Sequence, residues 1–434
     1  MPPTRREFLR GLCGAGAALT ARPRGADAQA LPALPSAGGT ELPPEIATAC
    51  AALRSRFPDL RRRFLFEYYP WYGRDPWRHW AQWGRRPPDD LAANYFPRLG
   101  AYDSRDVRVL EQHARWIADS GAGGVSVSWW GRDSFEDRAA HTLFDVLRAH
   151  DLRATFHLEP YRQDRALWLA EDILYLMRVF GERRGYDVLL LLSGAAGQGP
   201  IFKTFNTILP RRVPHCRGGS RPVAGYASDA TWRRHTDAIR ELLRREFPGF
   251  TLLADSLHLP RTRASGFDGI AIYDNVVGPE RYPEIAGEAS RQDLLFSLNV
   301  NPGFDTITPR RFTSEDCPSF PSFVPAADPP IDWDTPEGRD RAALLSRRRI
   351  DESFAATVRA QADPASSNAR RGFFLVYLNS FNEWHEGHAF EPMKDPAELS
   401  PGERAARYGN AGRGDERLER LRELLAATCA PSIP

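Results

Sequence analysis

Two glutamates three residues apart, Glu383 and Glu386, lie in the run Phe381 Asn382 Glu383 Trp384 His385 Glu386 Gly387. Paired carboxyls are what glycoside cleavage uses, one protonating the departing oxygen and the other assisting at the anomeric carbon. In a helical turn this spacing would put both on one face, with Cβ atoms roughly 5 to 6 Å apart. At that range each perturbs the other's ionisation, and one can stay protonated. A solvated acidic turn would show the same spacing, but Asn382, Trp384 and His385 are not the residues of such a turn. The neighbouring His385 Glu386 Gly387 His388 lacks the i, i+4 histidine pair of a zinc-binding HExxH helix. CxxC pairs, a GxSxG elbow and a phosphate-cradling P-loop are all missing from the sequence. Neither a metal nor another cofactor is expected.

Carboxyls of this kind need a scaffold to aim them, and the chain alternates short apolar runs with helical periodicity. The runs Phe64 to Tyr69, Gly124 to Trp129, Ala154 to Leu158, Val188 to Leu192, Thr251 to Ala254, Gly269 to Tyr273, Leu294 to Val300 and Phe373 to Leu378 read as strands, with Gly199 to Phe205 as the competitor for the fourth. Between or after them, Asp106 to Ser120, Arg138 to His150, Ala166 to Phe180, Thr231 to Phe247, Asp340 to Gln361 and Asp415 to Thr428 carry apolar residues at helical spacing. Eight such alternations predict an α/β fold, a closed (β/α)8 TIM barrel, with the active site at the carboxyl ends of the strands.

Polar and aromatic clusters follow four of these strands, as that geometry requires. They are Tyr68 Tyr69 Pro70 Trp71 Tyr72 Gly73, then Ser128 Trp129 Trp130 Gly131, then His157 Leu158 Glu159 Pro160 Tyr161, and the segment bearing the two glutamates. Sugars present flat apolar C–H faces edged by hydroxyls, so a subsite needs rings to stack on and forked polar groups at the rim. Any one of these rings could be core filler at a barrel mouth, since large aromatics are highly buried on average. Their clustering at strand ends favours a carbohydrate site.

With 434 residues, 42% hydrophobic and 26% charged, the chain can bury one large core. Its formal charge of +2 offers no footprint for nucleic acid, and a neutral glycan partner suits it better. Residues 1–30 read as a twin-arginine signal, with Arg5 and Arg6 ahead of a weakly apolar stretch that ends in Ala26 Asp27 Ala28 Gln29 Ala30. This implies passage through the Tat export machinery and a periplasmic or extracellular location. Residues 31–44, rich in Pro, Ala, Gly and Ser, read as a flexible linker, and 45–434 as the catalytic domain. No run has the length of uncharged apolar residues that a membrane span needs. Beyond the signal lie Cys50, Cys216, Cys317 and Cys429. Barrel closure brings first and last elements together, which favours a Cys50–Cys429 clasp, with free thiols as the alternative.

The four clusters, in this order, resemble glycoside hydrolase family 99, the endo-α-1,2-mannosidases and endo-α-1,2-mannanases. The similarity runs from about Phe64 to Glu391 and includes Gly266 Phe267 Asp268 Gly269; its most diagnostic part is Ser380 Phe381 Asn382 Glu383 Trp384 His385 Glu386 Gly387. The resemblance implies a retaining, endo-acting enzyme working through a 1,2-anhydro sugar. Glu383 would then be the base toward the substrate's own 2-hydroxyl, and Glu386 the acid toward the leaving group. It further implies that Tyr68, Tyr69, Trp71, Trp130, His157, Glu159, Tyr273 and Asn382 line or neighbour the sugar subsites. Trp130 matches the bacterial mannan-cutting members. Two departures bear on substrate identity: an expected Tyr-Asp pair after the fourth strand reads Phe205 Asn206, and Thr308 to about Gly338 looks inserted. The alternatives are a carbohydrate-binding barrel without turnover and a related hydrolase of another α-glycan.

Overall fold

The run Phe-Leu-Phe-Glu-Tyr forms the first strand, β1 (Phe64–Tyr68), and its alternation sets the plan of the molecule. Phe64, Phe66 and Tyr68 face outward into the main core between strands and helices, while Leu65 joins the cluster inside the barrel. Burying each such large side chain contributes about 1.5–3 kcal/mol. The computed structural model describes residues 42–194, 197–214, 219–305, 325 and 327–429. The expected signal, nearly all of the linker, Cys216, Cys317 and residues 308–324 of the inserted stretch lie outside the described residues.

Seven further strands follow: β2 (Gly124–Trp129), β3 (Arg153–Leu158), β4 (Gly197–Thr204), β5 (Thr251–Ala254), β6 (Gly269–Ala271), β7 (Leu295–Ser297) and β8 (Val376–Leu378). Each pairs in parallel with its sequence neighbour from β1 through β7, and β8 returns to lie beside β1. Val300, just past β7, bridges to Leu378 and closes the ring. The fold is therefore a (β/α)8 barrel.

The fourth strand differs from the first expectation. Val188 and Leu190 only exchange bonds with Ala154, after which Leu191–Gly194 turns back antiparallel to the start of β4. It is the competing run, extended to Gly197–Thr204, that sits between β3 and β5. Both runs are short and apolar, so periodicity alone does not choose between them. Gly199 helps to decide: a Cβ there would lie 1.6 Å from the Gly249 carbonyl oxygen, so only glycine lets β4 pass that loop.

The helices begin where capping residues allow. Asp106 caps α2 (Val107–Asp119), Ser134 caps α3 (Phe135–Ala149) and Ser228 caps α5 (Asp229–Leu243), each side chain accepting from a backbone N–H of the first turn. Others are α4 (Leu169–Leu176), α6 (Leu259–Ala264), α7 (Tyr282–Arg291), α8 (Pro336–Ala362) and α9 (Glu416–Cys429). One helix has no counterpart among the predicted elements: α1 (Pro44–Arg56), whose buried Ile46, Cys50 and Leu53 pack toward α8 and α9. Cys50 and Cys429 do share this corner, but both are free thiols, and Cys50 Sγ lies 3.5 Å from Thr428 Oγ1. The favoured clasp is thus not formed. Among the described residues no helix is long and apolar enough to cross a membrane.

Candidate active site

Beyond the carboxyl end of β8 the chain makes a loop that backbone bonds tie at its base. Ser380 N donates to the His388 carbonyl at 3.1 Å, and Phe390 N to the Ser380 carbonyl at 2.9 Å. Glu383 and Glu386 are both carried on this loop. The expected helical turn is absent: residues 381–387 are bends and turns, and Gly387 takes φ of 66°, where a Cβ would meet the Asp305 carbonyl. The two carboxyls therefore acquire different surroundings rather than one helical face.

Glu383 is 1% exposed; its N–H donates to Ser380 Oγ at 2.8 Å, and its Oε1 accepts from His385 N at 3.0 Å. Glu386 is 8% exposed, and its Oε2 accepts from the Tyr273 hydroxyl at 3.0 Å and lies 3.0 Å from His388 Nε2. At such low exposure, charge changes on these groups are screened weakly and felt strongly by their partners.

An aromatic wall rises beside Glu383 from the loop after β1. Trp71 stacks on His79 with centroids 4.5 Å apart, and His79 stacks on His385 at 5.4 Å. Tyr69 lies 4.7 Å from Trp71, and Trp130, after β2, stands 6.3 Å from it. Trp130 Nε1 donates to Ser128 Oγ at 3.1 Å, which donates in turn to Glu159 Oε1 at 2.8 Å. This relay orients one ring and one carboxylate together. His157 lies on β3 with its ring 5.9 Å from that of Tyr273, which links it to the Glu386 side of the site.

Two of the expected sugar-binding residues have other work. Tyr68 points outward, because the period of a strand is two and Glu67 takes the inward place. Its hydroxyl meets His113 Nδ1 at 2.8 Å in the core. Tyr68→Phe is therefore expected to cost about 1 kcal/mol in urea unfolding and to leave KM for any glycan unchanged. A several-fold rise in KM would instead put Tyr68 at the subsites. Asn382 clasps the Tyr69 backbone, its Oδ1 accepting from Tyr69 N at 2.7 Å and its Nδ2 donating to Tyr69 O at 3.0 Å. It fastens the β8 loop to the β1 loop, so it sets position for both.

Sequence reasoning missed the barrel's inner charges. Glu67 is fully buried, with Lys203 Nζ donating to its Oε1 at 2.6 Å and His157 Nδ1 lying 3.0 Å from its Oε2. Burial alone would raise this carboxyl, but Lys203 and His157 outweigh it and hold Glu67 at about 2. The signal was present: a charge inside an apolar strand, and one of only two lysines in an arginine-rich chain. Asp255 was missed too. It follows β5 and accepts from Tyr273 N at 3.0 Å and Asn206 N at 3.1 Å, bracing the departed fourth-strand corner, where Phe205 packs on His157 and Tyr273. Among the described residues, no group of three or more His, Cys, Asp and Glu is arranged to hold a metal ion.

Comparison with known proteins supplies the context for this geometry. A family model described as glycosyl hydrolase family 99 matches residues 67–188, from Glu67 in β1 to Val188 ahead of β4, and so stops short of the glutamate loop. The mouse protein named glycoprotein endo-alpha-1,2-mannosidase is 24% identical over 396 residues, which are 83% of this chain and 73% of that one. Its rat counterpart is 22% identical over 361 residues, 75% of this chain and 66% of that one. Among solved structures, the GH99 endo-alpha-mannosidase from Bacteroides thetaiotaomicron superposes with a TM-score of 0.58 at 20% identity, over 85% of this chain and 97% of that one. At that identity the likeness speaks for the fold.

Proposed function

Taking as premise that the chain is a glycoside hydrolase of family 99, on which family match, relatives and fold agree, we propose that it is a retaining endo-α-mannosidase acting on α-1,2-linked mannan or mannose-rich glycans. The observation that carries this reading is the pair Glu383 and Glu386 on one buried loop at the barrel's carboxyl face, each with its own hydrogen-bond partners, beside an aromatic wall. In an α-mannoside, O2 and the C1 leaving group are both axial and anti, so the substrate's own hydroxyl is placed for in-line displacement. Glu383 takes the O2 proton as the O2 electron pair forms the C1–O2 bond. The C1–O pair leaves with the departing oxygen, which takes a proton from Glu386. Water then attacks C1, giving its proton to Glu386, while O2 recovers its electron pair and the proton held by Glu383. Two displacements give net retention, and the protein's task is general acid–base work on a held substrate.

Trp130, which matches the mannan-cutting members of the family, favours a polymannose chain over a glucose-capped one, and the twin-arginine pattern of residues 1–30 favours a periplasmic or extracellular place of action after Tat export. The test is a screen of purified protein on α-1,2-, α-1,3- and α-1,6-linked mannans and glucose-capped mannosides, with product size and early-product NMR as readouts. Internal cleavage of the α-1,2 linkage with retained anomeric configuration is expected. Inverted products would sink the anhydro-sugar route. A barrel that binds mannan without cutting it is the reading favoured by Phe205, whose ring brings no hydroxyl to the site, and the same screen separates the two.

A further inference from the structure

His388 drew notice in the sequence only as part of a metal-like HEGH run, and neither the aromatic wall nor the two-glutamate chemistry uses it. In the fold it is fully buried, and its backbone carbonyl ties the base of the glutamate loop. Its Nε2 lies 3.0 Å from Glu386 Oε2 and 3.1 Å from the Tyr273 hydroxyl, which itself donates to Oε2 at 3.0 Å. Three polar atoms thus stand mutually at hydrogen-bond distance. Tyr273 has a single proton and spends it on Oε2, so the remaining contact is satisfied when Nε2 carries a proton and donates to the carboxylate.

We propose that His388 is a positioning residue for Glu386: its Nε2–H, with the Tyr273 hydroxyl, stabilises the carboxylate left when Glu386 gives its proton to the leaving oxygen, and the Glu386–His388 pair titrates as one unit. The catalytic part of this rests on the proposed function; the pairing itself does not. Proton balance is kept, since the proton lost by Glu386 in the first step returns from water in the second while His388 keeps its own. Around the pair stand the other charged groups: Asp274 beyond β6, Asp255 beyond β5, Lys203 on β4 with Nζ 5.5 Å from the Tyr273 ring, Asp305 beyond β7, Arg349 on α8 and Arg417 on α9. None of the hydrogen bonds described to these charges is made by the His388 ring itself.

Two measurements test it. In full-length protein with 15N-labelled histidine, the imidazole signal that vanishes in His388→Gln is followed against pH in wild type and in Glu386→Gln. Loss of the carboxylate partner is expected to lower the His388 titration midpoint by about one unit or more; an unchanged midpoint overturns the pairing, whether or not any substrate is found. In parallel, kcat/KM is measured for a mannan oligosaccharide and for the matching α-glycosyl fluoride, whose leaving group needs little protonation. His388→Leu is expected to lose about 10- to 100-fold on the oligosaccharide, to change the fluoride rate little, and to move the Glu386 limb of the pH profile upward. His388→Gln, which keeps a neutral donor, should recover much of the loss and guards against a folding defect in the leucine variant. Equal losses on both substrates with unmoved pH limbs would make His388 merely structural and overturn its role. Failure of wild type on every α-mannoside sinks the proposed function and with it the catalytic part, leaving the pairing to be decided by the NMR titration.

Discussion

Glu386→Gln is expected to lower kcat on a cleavable α-mannan by about 10²- to 10⁴-fold, while oligosaccharide affinity stays within a few-fold of wild type. The amide has the shape of the carboxyl and still reaches Tyr273 and His388, so the loop should keep its form. What it lacks is a proton to release to the leaving oxygen and a charge to receive one from water. Glu383→Gln should fall by a similar factor for a different reason, because the O2 proton then has no base to accept it. The two variants separate on a glycosyl fluoride: Glu386→Gln should regain much of its first-step rate, and Glu383→Gln should not. Steady-state kinetics on both substrates, with calorimetric binding of an oligosaccharide, measure this. A Glu386→Gln enzyme that cuts mannan at near-wild-type rate would remove the residue from the reaction.

Lys203→Met is expected to destabilise the fold by about 3–5 kcal/mol, the usual cost of leaving a buried charge without its partner. Both ends of this pair are fully buried, so neither can turn to water for compensation. Urea unfolding at pH 7 reads the loss, and the double variant Glu67→Gln/Lys203→Met should recover much of it, because a neutral amide no longer needs the cation. The pH dependence carries a sign. Glu67 is held at about 2, against an ordinary value of 4.5. Its stabilising contribution is therefore complete above about pH 4.5 and declines as pH falls through that window toward 2. Integrated over that shift it amounts to about 3 kcal/mol. Wild-type stability should fall from pH 5 to pH 3 with a slope that is clearly shallower in Lys203→Met, where only His157 still lowers Glu67, and parallel slopes would show that the ion pair does not govern Glu67.

Much of this protein could be read from its sequence. Alternating runs with strand and helix periods specify a barrel, and chemistry in a barrel gathers after the strands, so the glutamate loop and the Tyr69, Trp71 and Trp130 rings were found where they stand. These features are local: a run of a few residues carries its own period, and a strand end is marked by the aromatics that follow it. Even the choice between Val188 to Leu192 and the β4 run had a local clue in Gly199, although its force comes from Gly249, a residue fifty positions away.

Tertiary structure decided which face and which partner. One residue of register separates Glu67 from Tyr68, and it sends the first to the ion pair inside the barrel and the second to the outer core; the charge in an apolar strand marks Glu67 as unusual but does not say which face it takes. Lys203 meets Glu67 across 136 residues, and Tyr273 meets Glu386 across 113. Such pairings arise only when the barrel closes and brings the ends of different strands to one mouth. The spacing of Glu383 and Glu386 was plain in the sequence, but their separate surroundings, with His385 on one and Tyr273 and His388 on the other, were set by a loop that folds as turns rather than as a helix.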